Sequence, residues 1–485
     1  MTAVGEAPDV EALRQEITRQ RTQLEEQEKR LQQQTEQLKR LETLVDSMAS
    51  SAPSQKPTTP KSNRKTAPSS SSSSKSGLAA TAKPIVEPTV TTTPLVEAIT
   101  RDILDEAPIS GLGRGEEFAD EDFLKSVPLF GSDWRFSFGG YAKVDLIHDF
   151  SGSGDPSQFL ISQIPVNGSP QSGSYSEFQM RETRFNFEVR NTSSGQPESK
   201  FFTEFDFFEG SNSSNPRLRH AFFQYGNLLV GQTWTTLTEL RQLPLFLDFA
   251  AGDSLFGGRT VQVRWEQEID SQFDWAIALE NFNDSGISNP SGLSGTARSR
   301  LPLLAGRIGY NWDRGLIMLG SSVGENRWDG TGTTGDNSTL RWNIATGSRF
   351  YLTSEHTHYL GIGGSYGEGA PREILTFGNA GTPNAVLDPN GTLINVTSWN
   401  ANIGLHLEWT DKLSSNFGLA YAQLGSTELL PPESIHNGWA FNGNIIYDFT
   451  EQIRFGVEFI MGEQELVNGE SGSAQRVQTS VFYYF

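Results

Sequence analysis

From Trp134 to the last residue, hydrophobic and polar side chains alternate one by one. Trp134, Phe136, Phe138, Ala142, Val144 and Leu146 interleave with Arg135, Ser137, Tyr141, Lys143 and Asp145. The same period of two runs through Phe273-Trp275-Ile277-Leu279, from Trp399 to Trp409, from Trp439 to Phe449 and from Ile453 to Met461. Successive side chains of a strand point to opposite faces, so the pattern predicts strands with one apolar and one polar face. About sixteen such segments are legible, the even number a bacterial membrane barrel requires. Their connections alternate short with long. Gly226-Asn227, Asp313-Arg314-Gly315, Asp411-Lys412 and Thr450-Glu451-Gln452 are short, whereas those around 151–175, 236–257, 283–299 and 367–395 are long. Tight turns at one rim and long loops at the other fit a closed barrel better than a soluble sandwich. Ten residue steps from Trp399 to Trp409, at about 3.3 Å each and a tilt near 40°, give roughly 25 Å of apolar height. Trp134, Trp312, Trp409, Phe449 and Phe485 fall at one rim and Trp342, Trp399, Tyr421 and Trp439 at the other, as interfacial aromatics do.

Ahead of the alternating region the period changes. Val10, Ile17, Leu24, Leu31, Leu38 and Val45 recur every seventh residue, and the companion positions include Gln20, Gln27 and Gln34. This predicts an α-helical coiled coil over 8–48 with polar layers in its seam. Residues 49–94 are rich in Ser, Thr, Pro and Lys and include the run Ser69 to Ser74. Such a segment cannot bury a core and reads as a disordered linker. Its Lys56, Lys61, Arg64, Lys65, Lys75 and Lys83 would suit an anionic neighbour such as the cell-wall polymer, or serve only as a soluble spacer. Residues 95–130 read as a short helix and an acidic connecting segment, and 131–485 as the barrel. The fold class expected is therefore all-β: a 16-stranded antiparallel transmembrane β-barrel preceded by a coiled coil and a disordered linker.

Composition refines this picture. The 48 glycines and 31 phenylalanines suit many turns and aromatic-rich strands. A mean hydropathy of -0.42 does not argue against a membrane, because apolar-out and polar-in positions average out in a barrel. With no cysteine, disulfides and thiol chemistry are excluded. A net charge of -20 counts against nucleic acid, which wants a basic face. No export leader is legible after Met1, so an exported barrel is expected here in mature form.

Candidate chemistry is sparse. Gly320-Ser321-Ser322-Val323-Gly324 matches a hydrolase pattern but lies in a strand, without the turn and helix that would expose Ser322. His356 and His358 share a turn without further ligands, and the acids from Glu116 to Asp122 lack a calcium-loop spacing. No enzyme, cofactor or metal is expected. The lumen-facing parity is more informative. Arg184, Arg264, Arg307 and Arg341 face inward because their neighbours face out, Lys143 shares that parity, and Arg219 joins them by charge although the alternation near His220 is irregular. The long connection after the fifth strand carries Glu239, Arg241, Asp248 and Asp253. Folded inward, its acids would face a basic wall and set a transverse field. Lumen arginines could equally pair with Asp145, Glu204, Asp206 and Glu458.

With these parts in order, the chain resembles the DcaP-like outer-membrane porins. The strings that carry the resemblance are Trp134-Arg135-Phe136 through Phe150, Arg181-Glu182-Thr183-Arg184-Phe185, and Leu218-Arg219-His220-Ala221-Phe222 leading into Gly231-Gln232-Thr233-Trp234. The ending Val481-Phe482-Tyr483-Tyr484-Phe485 completes them. The resemblance implies a homotrimer in outer-membrane lipid, its coil in the periplasm, passing small anionic solutes such as dicarboxylates. It also implies that Arg184 and Arg219 are lumen cations. The long serine-rich linker departs from the family pattern. A general porin without charge preference, a structural envelope tether with a closed lumen and an outer-membrane lipase are the competing readings.

Overall fold

The structure, a computed structural model, describes residues 126–485 apart from 130–132, 167–172, 192, 194–196, 198, 210–213, 282–285, 333 and 426–427. The predicted coil, the linker and residues 95–125 lie outside the described residues. Sixteen wall strands follow one another in antiparallel order. They are β1 (Trp134–Ser151), β2 (Tyr175–Gln179 and Arg184–Asn191), β3 (Ser199–Glu209), β4 (Asn215–Tyr225), β5 (Leu228–Trp234), β6 (Arg259–Glu268), β7 (Phe273–Asn281) and β8 (Leu303–Trp312). Then come β9 (Gly315–Gly330), β10 (Asn337–Tyr351), β11 (Tyr359–Glu368), β12 (Thr397–Thr410), β13 (Leu413–Leu424), β14 (Ile435–Asp448), β15 (Ile453–Leu466) and β16 (Ser471–Tyr484). Pairing of β1 with β16, with Val144 opposite Val481, closes the barrel and leaves no free edge.

The outer face is apolar, as the alternation predicts. Phe138, Val144, Leu146, Val263, Trp265, Ile277, Ile308, Ile445 and Val457 are all exposed, and all but Phe138 lie between buried neighbours. Aromatic rings meet near both ends of the wall. Trp342 packs on Tyr366 at 5.8 Å and Trp399 on Tyr421 at 5.2 Å toward the long loops, while Trp312 meets Phe350 at 6.0 Å and Phe138 meets Phe485 at 5.4 Å toward the turns.

The lumen holds what strand periodicity cannot predict: a hydrophobic core. Three long connections fold inward, after β1, β5 and β11. Phe159 and Ile161 of the first, Leu237 and Phe256 of the second, and Ile374 and Phe377 of the third pack together with Ala440, Ile460 and Ala474 of the wall. Small residues on the wall make room. A Cβ at Gly438 would overlap Ile161, and one at Gly462 would crowd Phe159.

Candidate functional site

The connection of residues 235–258 is the main occupant of the lumen, and a row of wall glycines sets its course. It passes Leu237 over Gly320 of β9, Glu239 over Gly347 of β10, and Gln242 over Gly361 and Gly363 of β11. It then passes Pro244 over Gly404 of β12, Phe246 over Gly418 of β13 and Leu247 over Gly456 of β15. At each of these positions a Cβ would overlap the connection. Inward glycines on six strands thus form a groove that admits the side chains of the connection and, at Gly361, its backbone. Replacing Gly361 by leucine would collide with the Gln242 carbonyl and is expected to cost about 1–3 kcal/mol through overpacking. A lowered unfolding temperature with raised single-channel conductance would report the displaced segment; an unchanged pair of values would refute the groove.

Polar groups fix what the glycines admit. Glu280 accepts from the Thr236 backbone N–H and hydroxyl, both at 2.6 Å. Tyr359 donates to the Leu243 carbonyl at 3.2 Å, and Asn444 to that of Leu245 at 2.8 Å. The buried Glu458 accepts from the backbone N–H of Leu247 (2.7 Å) and Asp248 (3.2 Å), and from Asn442 and Asn444. Arg476, with no exposed side-chain surface, joins three elements. It donates to both Asp149 oxygens at 2.6 and 3.1 Å, to the Ser153 hydroxyl and the Asp155 carbonyl, and to Asp248 at 3.3 Å. Burial lifts the carboxyls of Asp248 and Asp253, which lie on this inserted connection; for Asp253 the rise is well above the ordinary carboxylate range.

A cavity of roughly 310 Å³ remains beside the connection. One side of it carries Arg184 of β2, Arg217 and Arg219 of β4 and Arg259 of β6. Arg217 grips Asp206 with its Nε at 2.9 Å, and Arg219 reaches Glu204 at 2.6 Å and Asp206 at 2.9 Å. Arg184 stands 3.6 Å from Glu182. Arg259 differs: among the described residues its guanidinium forms no ion pair or side-chain hydrogen bond, and it lies 4.7 Å from the ring centre of Trp234. It is half-buried beside the cavity.

Of the predicted basic wall, Arg184 and Arg219 line this cavity, and Arg264, Arg307 and Arg341 do not. Arg264 pairs with Glu266 at 2.7 Å. Arg307 sits among Asp274 (3.4 Å), Glu266 (3.9 Å) and Glu239 (4.0 Å), and Arg341 pairs with Glu373 of the connection after β11. Lys143 is sealed beneath the inserted segment, bound to Glu182 and the Leu247 carbonyl. The acids of the connection do lie near these arginines: Glu239 is 4.0 Å from Arg307, and Asp248 and Asp253 line the same cavity as Arg184 and Arg219. Glu239 is held by Arg241 of the same connection, Asp248 by Arg476 and the Phe159 N–H, and Asp253 by the Ile161 N–H and Asn379. The insertion spends its acids on anchoring.

Two of the cations that line the cavity, Arg217 and Arg259, escaped the sequence reading, for different reasons. The irregular alternation near His220 is a β-bulge: Glu204 pairs with His220 but Phe205 with Leu218, so Arg219 is the extra residue and the parity flips. Both Arg219 and Arg217 thereby turn inward, and the broken alternation was the available signal. Arg259 shares the parity of the outward Val261 and Val263 but is the first residue of β6, where the chain enters the sheet from the lumen. Nothing local marks it.

The remaining candidates are quiet. Ser322 lies within β9, its Oγ accepting from Asn343 at 2.7 Å. His356 stacks on Tyr351 at 4.3 Å in the turn after β10, and no cluster of His, Asp and Glu suited to a metal occurs among the described residues.

Comparison with known proteins agrees with this architecture. The profile of a family described as DcaP outer membrane protein matches residues 124–485. Among solved structures, the outer membrane channel DcaP of Acinetobacter baumannii shares 19% identity at a TM-score of 0.64, covering 74% of this chain and 99% of that one. An anion-selective porin from Comamonas acidovorans shares 11% identity at a TM-score of 0.49, over 73% of this chain and 100% of that one. A loop-deleted OmpT of Vibrio cholerae shares 13% at 0.46, over 73% and 100%. No curated protein sequence matches the chain. The barrel thus has the fold of an outer-membrane channel.

Proposed function

Because the chain belongs to the DcaP outer membrane protein family, we propose that it is a trimeric porin for passive diffusion of small hydrophilic solutes, favouring anions such as dicarboxylates. The turns and the N-terminal region face the periplasm in this reading, with the heptad helices parallel and adding to a trimer held mainly by its barrels. The observation that carries the anion preference is Arg259, a lumen cation that forms no ion pair among the described residues, set beside three further arginines. Arginine stays charged at any physiological pH, and its planar fork can hold a carboxylate through two hydrogen bonds. The whole-chain charge of -20 is a poor guide here, since a permeating ion feels the nearest low-dielectric wall.

The test is a reversal potential in planar bilayers across a salt gradient. Anion preference is the expected sign; cation preference would refute the reading. A structural tether with a sealed lumen draws support from the hydrophobic core inside the barrel, and absence of any conductance would favour it.

A further inference from the structure

The cavity has two faces of unlike chemistry. Against the arginines stands the inserted connection, which offers Leu240, Leu243, Phe246 and Phe249 at every third position. Leu243, Phe246 and Phe249 keep part of their surface exposed. The faces meet at Phe249, whose ring centre lies 5.3 Å from the Arg217 guanidinium and 5.6 Å from that of Arg219, and which stacks on Phe208 at 4.2 Å. On the same side as the arginines, Arg259 lies over Trp234. An acidic opposing face would have suited dipolar or doubly charged solutes. Asp248 and Asp253 also line the cavity, but both are buried and held by Arg476 and the Phe159 N–H and by Asn379 and the Ile161 N–H, so Leu243, Phe246 and Phe249 supply the exposed part of that face.

We infer that this passage discriminates among organic anions by their apolar body, binding a monocarboxylate on a ring-sized hydrocarbon more tightly than an equally charged, hydroxylated one. The inference rests on the anion-favouring reading above. The carboxylate takes the place of water at Arg259, and the body lies along Leu243, Phe246 and Phe249. Hydroxyl groups on that body lose hydration against these side chains and gain no equivalent partner from them. Burial of roughly 55 Å² of ring face, at about 25 cal/mol per Å², corresponds to about a tenfold difference in affinity.

Cyclohexanecarboxylate and quinate form a matched pair, with the same ring and charge but hydroxyls on one alone. Concentration-dependent block of the single-channel current of the full-length protein should give cyclohexanecarboxylate about tenfold tighter binding. Leu243→Asn and Phe246→Asn should each bring the two constants closer together. Equal constants, or tighter quinate, in an anion-selective channel overturn this inference and leave the anion reading intact. A cation-selective channel overturns that reading and this inference with it. The matched pair decides on the unmutated protein, so failed assembly of either variant does not spare the inference.

Discussion

Replacing Arg259 by glutamine is expected to cut the anion-to-cation permeability ratio several-fold while leaving the barrel's heat stability almost unchanged. A unit charge about 6 Å from a permeating ion contributes about 0.7 kcal/mol even in a water-like dielectric. It acts with opposite sign on cation and anion, so the ratio can move by up to about tenfold, less at high salt. Stability should barely respond, because Arg259 forms no ion pair among the described residues and loses only its stacking on Trp234, about 0.5–1 kcal/mol. Reversal potentials at two ionic strengths and a thermal melt in detergent provide both readouts. An unchanged ratio would remove Arg259 from the permeation path.

The second large effect lies at Arg476. Changing it to leucine leaves Asp149 and Asp248 buried without their shared cation, and removing one partner from a buried pair costs about 3–5 kcal/mol. Asp248 sits on the inserted connection and Ser153 and Asp155 on the one after β1, so one substitution loosens two lumen segments. A markedly lower melting temperature is expected, with a larger and noisier single-channel current. Should the variant melt and conduct like the parent, the insertion is held by its glycine groove and by Glu458 rather than by this arginine. The contrast with Arg259 is physical: a cation whose acids are committed to it holds structure, whereas one without them is available to a solute.

The wall of this protein is written locally. Strand positions, the apolar exterior from Phe138 to Val457, the aromatic rims and the rhythm of turns and loops all follow from a period of two, because lipid and lumen select side chains residue by residue. Inward placement of Arg184, Arg264, Arg307 and Arg341 followed from the same parity. Which of them face open space did not. That depends on where residues 235–258 lie, and their course is set by Gly320, Gly347, Gly361, Gly404, Gly418 and Gly456, dispersed over six strands. In sequence these glycines look like ordinary strand positions; only barrel closure aligns them into a groove. The bulge at Arg219 and the strand end at Arg259 likewise redirect side chains that local alternation would assign elsewhere. Periodicity records the environment each residue faces, and local pairs such as Arg264 with Glu266 follow from it, but the acids that hold Arg341 and Arg476 come from segments distant in the chain, brought together when the lumen fills.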